Sequence, residues 1–160
     1  MELTEKIAQL LDEKYTTDEV YHDCFTVDIE YRANSNRLHV FIDSDSAMTF
    51  EKCHRISRYL ESFIDTNNWM GEKYVLEVSS PGVNRPLKFT RQYIKNIGRD
   101  VEVTFLDKTT EEGTLIKADE TKIVLTKEVV EKDGKKKIKK QVEIEIPYTN
   151  IHKAIVQLVF

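Results

Sequence analysis

Only two cysteines, Cys24 and Cys53, occur in the 160 residues, and no Cys-x-x-Cys pair is present. That excludes a disulfide framework and a structural zinc site of the usual spacing, and leaves buried free thiols as the expectation. No apolar run approaches the roughly 20 residues that span a bilayer as a helix. The N-terminal Met1-Glu2-Leu3-Thr4-Glu5 lacks the basic-then-apolar order of a signal peptide, so a cytoplasmic protein is expected, with no membrane partner. Histidine is scarce too. His22, His39, His54 and His152 are scattered, with His39 and His54 on the polar faces of their elements, and no metal site is expected. Repeats and low-complexity linkers are missing. What is plentiful is charge: 32% charged with 40% hydrophobic residues describes a globular chain of one ordinary domain or two small ones.

Proline is also rare, at three residues, yet two of them bracket one short run, Glu77-Val78-Ser79-Ser80-Pro81-Gly82-Val83-Asn84-Arg85-Pro86-Leu87. Tyr74, Leu76 and Val78 alternate with Val75, Glu77 and Ser79, the two-residue period of a strand. Pro81-Gly82 then predicts a type II turn: proline presets the first central position and glycine supplies the positive φ at the second. Ser80 and Arg85, each preceding a proline, are pushed to extended angles. Few backbone states remain, so the flanking segments are expected to hold a limited range of mutual orientations and Arg85 to be aimed by its neighbours.

Leu-Glu-Val-Ser-Ser-Pro-Gly followed by Arg-Pro-Leu resembles the signature of the RimP family of bacterial small-subunit ribosome maturation factors. The flanks agree with that family pattern: Ile42-Asp43 ahead of a helix, Cys53 with Ser57-Arg58 inside it, and Ile97-Gly98-Arg99 opening the second half. Two departures stand out. Asn84 occupies a position that is commonly acidic in the family, and Ala47-Met48-Thr49 replaces a Gly-Ile-Thr type of helix start.

The residues themselves give an order of elements. Leu3, Ile7, Leu10 and Leu11 repeat at helical spacing over residues 2–15. Phe25, Val27, Ile29 and Tyr31 alternate on one strand and Leu38, Val40 and Ile42 on the next, with Asn34-Ser35-Asn36 as the turn. Thr49 reads as an N-cap with Glu51 in the first turn, and Phe50, Cys53, Ile56, Leu60, Phe63 and Ile64 as the apolar stripe. With the strand ending at Ser79 this makes an αββαβ domain with a three-stranded sheet, KH-like in order. No Gly-x-x-Gly loop occurs in residues 1–87, and that loop clamps the nucleic-acid backbone in KH modules, so KH-style RNA binding is not expected of this half.

Beyond Leu87, Thr90 is expected to cap a short helix through Ile97, with Gly98 just past its end. Strands follow around Val101–Phe105, Gly113–Ala118, Ile123–Val130, Val142–Ile146 and Ile155–Phe160, with Asp133-Gly134 as a hairpin turn pair. Five short strands fit a small closed barrel, which the family resemblance implies to be SH3-like or Sm-like. The fold class expected is therefore α+β, with domains 1–87 and 88–160. Net charge divides with them, −7 in residues 1–87 and +3 in residues 88–160, a division that suits simultaneous contact with basic protein and anionic RNA as well as plain solubility.

Two basic groups stand out as RNA candidates. Lys132, Lys135, Lys136, Lys137, Lys139 and Lys140 crowd the predicted hairpin tip, where lysine either neutralises phosphates or protects a strand edge. Arg85, Lys88, Arg91, Lys95 and Arg99 flank the junction. Asp43 and Asp45 form an Asp-x-Asp that reads as turn chemistry ahead of a divalent-ion site. Ser79 and Ser80 lack a Gly-x-Ser-x-Gly elbow and a histidine placed beside them, and Cys53 lies on an apolar stripe, so no catalytic residue and no cofactor is expected. The junction residues Ser79, Ser80, Gly82 and Arg85 are candidates for binding protein or rRNA. The family resemblance implies a monomeric, non-enzymatic assembly factor that binds the small ribosomal subunit near the decoding centre, touching a ribosomal protein and adjacent rRNA. The alternatives are an Sm-like RNA chaperone acting as a ring and a metal-dependent hydrolase or phosphotransferase at Asp43 and Asp45.

Overall fold

Residues 1–82 and 85–157 are described by a computed structural model. The chain divides into two compact units, Met1–Pro81 and Gly82–Phe160. Asn84 and the end of the last expected strand, residues 158–160, lie outside the described residues.

In the first unit, α1 (Leu3–Thr17) leads through a short 3₁₀ turn to the hairpin β1 (Cys24–Arg32) and β2 (Arg37–Ser44). Next come α2 (Phe50–Thr66) and β3 (Val75–Ser79), the expected αββαβ order. The sheet order is β1-β2-β3, antiparallel between the first pair and parallel between the second. Leu38, Val40 and Ile42 point from the central strand into a core with Ile7 and Leu11 of α1 and Ile56, Leu60 and Ile64 of α2. Burial of each such side chain stabilises the fold by about 1.5–3 kcal/mol relative to exposure. Thr49 caps α2 as expected, its hydroxyl accepting from Lys52 N–H at 3.2 Å. Phe50 is a correction: it is 87% exposed and takes no part in the core. At the first helical position it precedes the turn where α2 meets the sheet, and its ring lies nearly parallel to that of His54 one turn on.

Asn36 fastens this unit in a way its turn position does not announce. Its φ is +49°, a left-handed angle that asparagine tolerates. Its amide donates to the carbonyls of Met70 and Lys73, both at 2.7 Å, while its Oδ1 accepts from Tyr31 Oη at 2.9 Å. The hairpin turn thus holds the loop after α2, and Val75 N–H donates to Asn36 O at 3.1 Å to start β3 beside β2.

In the second unit Leu87 precedes the first helix, and its N–H donates to Ala154 O at 2.8 Å. The unit continues through α3 (Thr90–Lys95), β4 (Asp100–Phe105), β5 (Thr110–Ala118), β6 (Lys122–Asp133), β7 (Lys136–Pro147), a 3₁₀ turn and β8 (Ile151–Val156). The antiparallel order is β7-β6-β5-β4-β8. Val101, Val103, Leu115, Ile123, Leu125, Ile146 and Ala154 bring all five strands to one core. A single sheet can do that only by curling on itself, and register breaks after Thr104 and Leu115 supply the bends of a small barrel.

Several details differ from expectation. α3 stops at Lys95, and its N-cap is Phe89, with Thr90 the first helical residue. The capping oxygen comes from within the helix: Gln92, 2% exposed, accepts through Oε1 from Lys88 N–H at 2.7 Å and from Phe89 N–H at 2.9 Å. This buried amide reaching backward is the N3 half of a capping box, serving the N-cap N–H and the one before it, whereas a threonine cap would accept from N–H groups inside the first turn. β8 begins at Ile151, four residues early. β6 and β7 run 12 residues each, well beyond the barrel wall.

β4 and β5 place Glu102 directly opposite Glu112. The hydrogen bond between the two carboxyls, then their mutual repulsion, holds Glu112 above its ordinary value. A raised value in the folded state means the pairing favours folding below the ordinary glutamate range and loses that effect as pH rises through the folded value. Glu112→Gln is therefore expected to raise the unfolding midpoint at pH 7 and to leave it unchanged near pH 4. Chemical denaturation at the two pH values checks this, and an equal shift at both would contradict it.

Candidate binding surfaces

The hairpin of β6 and β7 is exposed throughout from Val130 to Gln141. Asp133 pairs with Lys136, so the two-residue loop is Gly134-Lys135, one position later than the expected Asp133-Gly134. Gly134 has φ +62°, the requirement of a type II′ turn at its first central residue. The register then sorts the lysines by face. Lys132 opposes Lys137 and Val130 opposes Lys139, so Lys132, Lys137 and Lys139 share one side. Lys136 and Lys140 share the other with Glu131 and Asp133, whose charges offset theirs. On the first side the nearest carboxylate is Glu128, 3.7 Å from Lys139 Nζ. Lys135 sits in the loop. The sequence shows a cluster of six; the register resolves it into one cationic face and one nearly neutral face.

A second basic surface surrounds α3. Arg91, Lys95 and Lys88 are exposed, with Lys88 Nζ 5.6 Å from the centre of the Phe89 ring. Arg99 follows Gly98, which holds φ +98° and donates N–H to Leu115 O at 2.7 Å. Arg99 Nη1 reaches Asn96 Oδ1 at 3.3 Å, and Asn96 in turn donates to Gln92 O. Exposed Ile94 and Ile97 interleave with these cations, giving the mixed basic and apolar character of an RNA or protein contact surface.

At the junction Gly82 has φ +71°, the angle expected at the second central position of a Pro-Gly turn. Arg85 is half-buried. Ser80 N–H bonds the Cys53 sulfur. Burial raises the Cys53 thiol, and burial beside Asp23 pushes Cys24 up to about 11. Both thiols therefore stay protonated near neutral pH and are weak nucleophiles.

Ser79 does have a histidine beside it. The parallel register sets His39 against Glu77 and Phe41 against Ser79, and His39 Nε2 lies 2.8 Å from Ser79 Oγ. His39 also stacks on Phe41, with ring centres 3.9 Å apart. Sequence separation hid this contact; only the register of β2 on β3 could have revealed it. Hydroxyl, imidazole and carboxylate stand in the order of a hydrolytic relay. However, His39 Nδ1 to Glu77 is 3.4 Å, longer than an orienting hydrogen bond, and Glu77 is divided between His39 and Arg37 at 3.3 Å. The row ties two strands together across the sheet.

Asp43 is a correction: it is a buried residue of β2, paired opposite Phe25, and only Asp45 lies in the bend that follows. Asp43 Oδ1 accepts from Ser44 N–H at 2.8 Å, and Asp45 N–H donates to Asp23 O at 3.0 Å. Asp23 accepts from both the backbone and the hydroxyl of Ser46, the hydroxyl bond being the main cause that lowers its carboxyl. Among the described residues no group of three or more His, Cys, Asp or Glu side chains is arranged to hold a metal ion. Among the same residues no helix is long and apolar enough to cross a membrane.

Residues 14–84 match the RimP N-terminal domain. Over its whole length the chain is 34% identical to the ribosome maturation factor RimP of Christiangramia forsetii, an alignment that covers 99% of both chains. The chain belongs to the RimP family. A second relative of the same name, from Cytophaga hutchinsonii, is 33% identical over 150 residues, covering 91% of this chain and 86% of that one. The RimP N-terminal match contains α2, all three strands of the first unit and Pro81-Gly82, while the alignment with the Christiangramia forsetii relative extends through the barrel and the lysine hairpin.

Proposed function

We propose that this chain is a non-enzymatic assembly factor that binds the free small ribosomal subunit in the cytoplasm and assists its maturation. The end-to-end relationship to ribosome maturation factors carries the reading. The geometry supports a division of labour. Lys132, Lys137 and Lys139 form a projecting cationic face that can neutralise rRNA phosphates without demanding a base sequence. Lys88, Arg91 and Arg99 around α3, with Ser79, Ser80, Gly82 and Arg85 of the junction, form the second contact, to a ribosomal protein near the decoding centre and its adjacent rRNA. Two separate contacts from one chain gain from effective concentration, so neither needs high affinity by itself.

Sedimentation of the protein with separated small subunits, large subunits and joined ribosomes tests this. Co-sedimentation is expected with free small subunits and not with the other two. Equal recovery with large subunits or with joined ribosomes would overturn the reading.

A further inference from the structure

β3 ends the three-stranded sheet, and its outer edge is built to receive something. Val75 N–H donates inward, to Asn36 O. Main-chain groups alternate sides along a strand, so Glu77 and Ser79 also face β2, while the N–H and C=O of Leu76 and Val78 face away from it. The next outward position, Ser80, has its N–H taken by the Cys53 sulfur of α2. Four outward groups therefore remain at Leu76 and Val78, two donors and two acceptors in strand order. They form the floor of a cleft of about 370 Å³. Phe50, His54 and Ser57 of α2 line one wall; His39, Glu77 and Ser79 line the other.

The edge is short and carries one charge, Glu77, but lacks the stronger blocks to pairing. Val75-Leu76-Glu77-Val78-Ser79 holds no lysine, proline or bulge. Apolar surface is supplied by Leu76 and Val78 and by the 87% exposed ring of Phe50, beside the polar His54 and Ser57. The opposite wall carries the carboxylate of Glu77, the one formally charged side chain of the lining. Arg37 already meets that carboxylate at 3.3 Å, so a cationic segment would share it with Arg37 and selection rests chiefly on the charge of the unit. The surrounding unit is strongly acidic, with eight Lys and Arg against sixteen Asp and Glu in residues 1–81. Such a field repels phosphates and attracts cationic segments.

We propose that the outer edge of β3 is a docking site for an extended, basic peptide segment of a partner protein, added as a fourth strand. Main-chain pairing at Leu76 and Val78 supplies the bonding, and alternate side chains supply the selection. Residues of the segment on the α2 side meet Phe50, Leu76 and Val78 and are apolar. Those on the opposite side meet Glu77 and are lysine or arginine. The site stands on the first unit's geometry, separate from the lysine hairpin, and goes beyond the assembly reading.

The test uses the full chain, isotopically labelled, with a synthetic heptapeptide alternating lysine and valine as the probe. Glutamate–valine and oligouridine probes of equal length serve as comparisons, all at about 0.15 M salt, where long-range attraction is screened. The lysine–valine peptide is expected to bind and to slow hydrogen exchange of the Leu76 and Val78 amides about tenfold or more; the glutamate–valine peptide is not. Phe50→Ala removes an aromatic anchor and is expected to weaken the peptide about tenfold. Because Phe50 is outside the core, the variant keeps its fold. The proposal is overturned if the peptide fails to bind, if both amides exchange as before, or if Phe50→Ala binds equally well. Oligouridine protecting those amides would overturn it in favour of RNA. Protection that grows with protein concentration and no peptide would do so in favour of a second copy of the chain. Any of these failures leaves small-subunit binding through the hairpin intact, so the two readings fail separately.

Discussion

Replacing Lys132, Lys137 and Lys139 together with glutamine is expected to weaken binding to small subunits by about an order of magnitude and to flatten its salt dependence. Each lost phosphate contact reduces the slope of log affinity against log salt by roughly 0.7 to 0.9, so three give a change of roughly 2 to 3. The register is what selects these three. Lys136→Gln with Lys140→Gln removes two charges from the same hairpin, but from the side where Glu131 and Asp133 already oppose them, and its effect is expected to be much smaller. Filter binding or sedimentation at several salt concentrations reads both quantities. If the lysines only shield an edge strand, the triple variant will bind subunits unchanged at every salt concentration and will self-associate more, since the charge that discourages strand pairing has gone.

Gln92→Leu is expected to destabilise the second unit by about 1–3 kcal/mol, because leucine matches the amide in bulk and leaves two backbone donors, Lys88 N–H and Phe89 N–H, without the acceptor that now serves both. In a unit of this size that lowers the midpoint of thermal unfolding by roughly 4–8 °C per kcal/mol. Gln92→Glu keeps an oxygen in place at the first turn of a helix, where a carboxylate is favoured, and should retain most of the stability. Calorimetry on the three proteins decides the matter; a leucine variant as stable as the parent would show that water or a shifted backbone satisfies both donors. Loss of Gln92 should also loosen Arg91 and Lys95, which the same helix positions.

The elements that depend on local pattern were legible in the residues. The alternation in Leu38–Ile42, the Thr49 cap and the positive φ of Gly82 stand where spacing and turn chemistry place them. The alternation expected over Phe25–Tyr31 is instead broken by a bulge at Val27 that sets Phe25 opposite Asp43 and puts Cys24 and Ile29 at the core. What escaped depends on contacts distant in sequence. Thr90 looks like a cap because its hydroxyl is the usual chemistry, but a buried glutamine three residues from Phe89 does the work. Phe50 fits the helical stripe by period and fails by position, since periodicity says which side of a helix a residue occupies and not where the sheet beneath it ends. The His39–Ser79 contact and the sorting of the lysines both follow from strand register, which one-dimensional patterning leaves open.

Lys132 and Lys137 face each other across the outermost rungs of the hairpin. Like charges directly opposite on paired strands work against the pairing that brings them together. The opposite-charge pair Asp133 and Lys136 closes the rung beyond them, so the tension sits one rung short of the tip. On the proposed reading a phosphate lying between the two ammonium groups would relieve it, and part of the energy of binding would go into strand pairing.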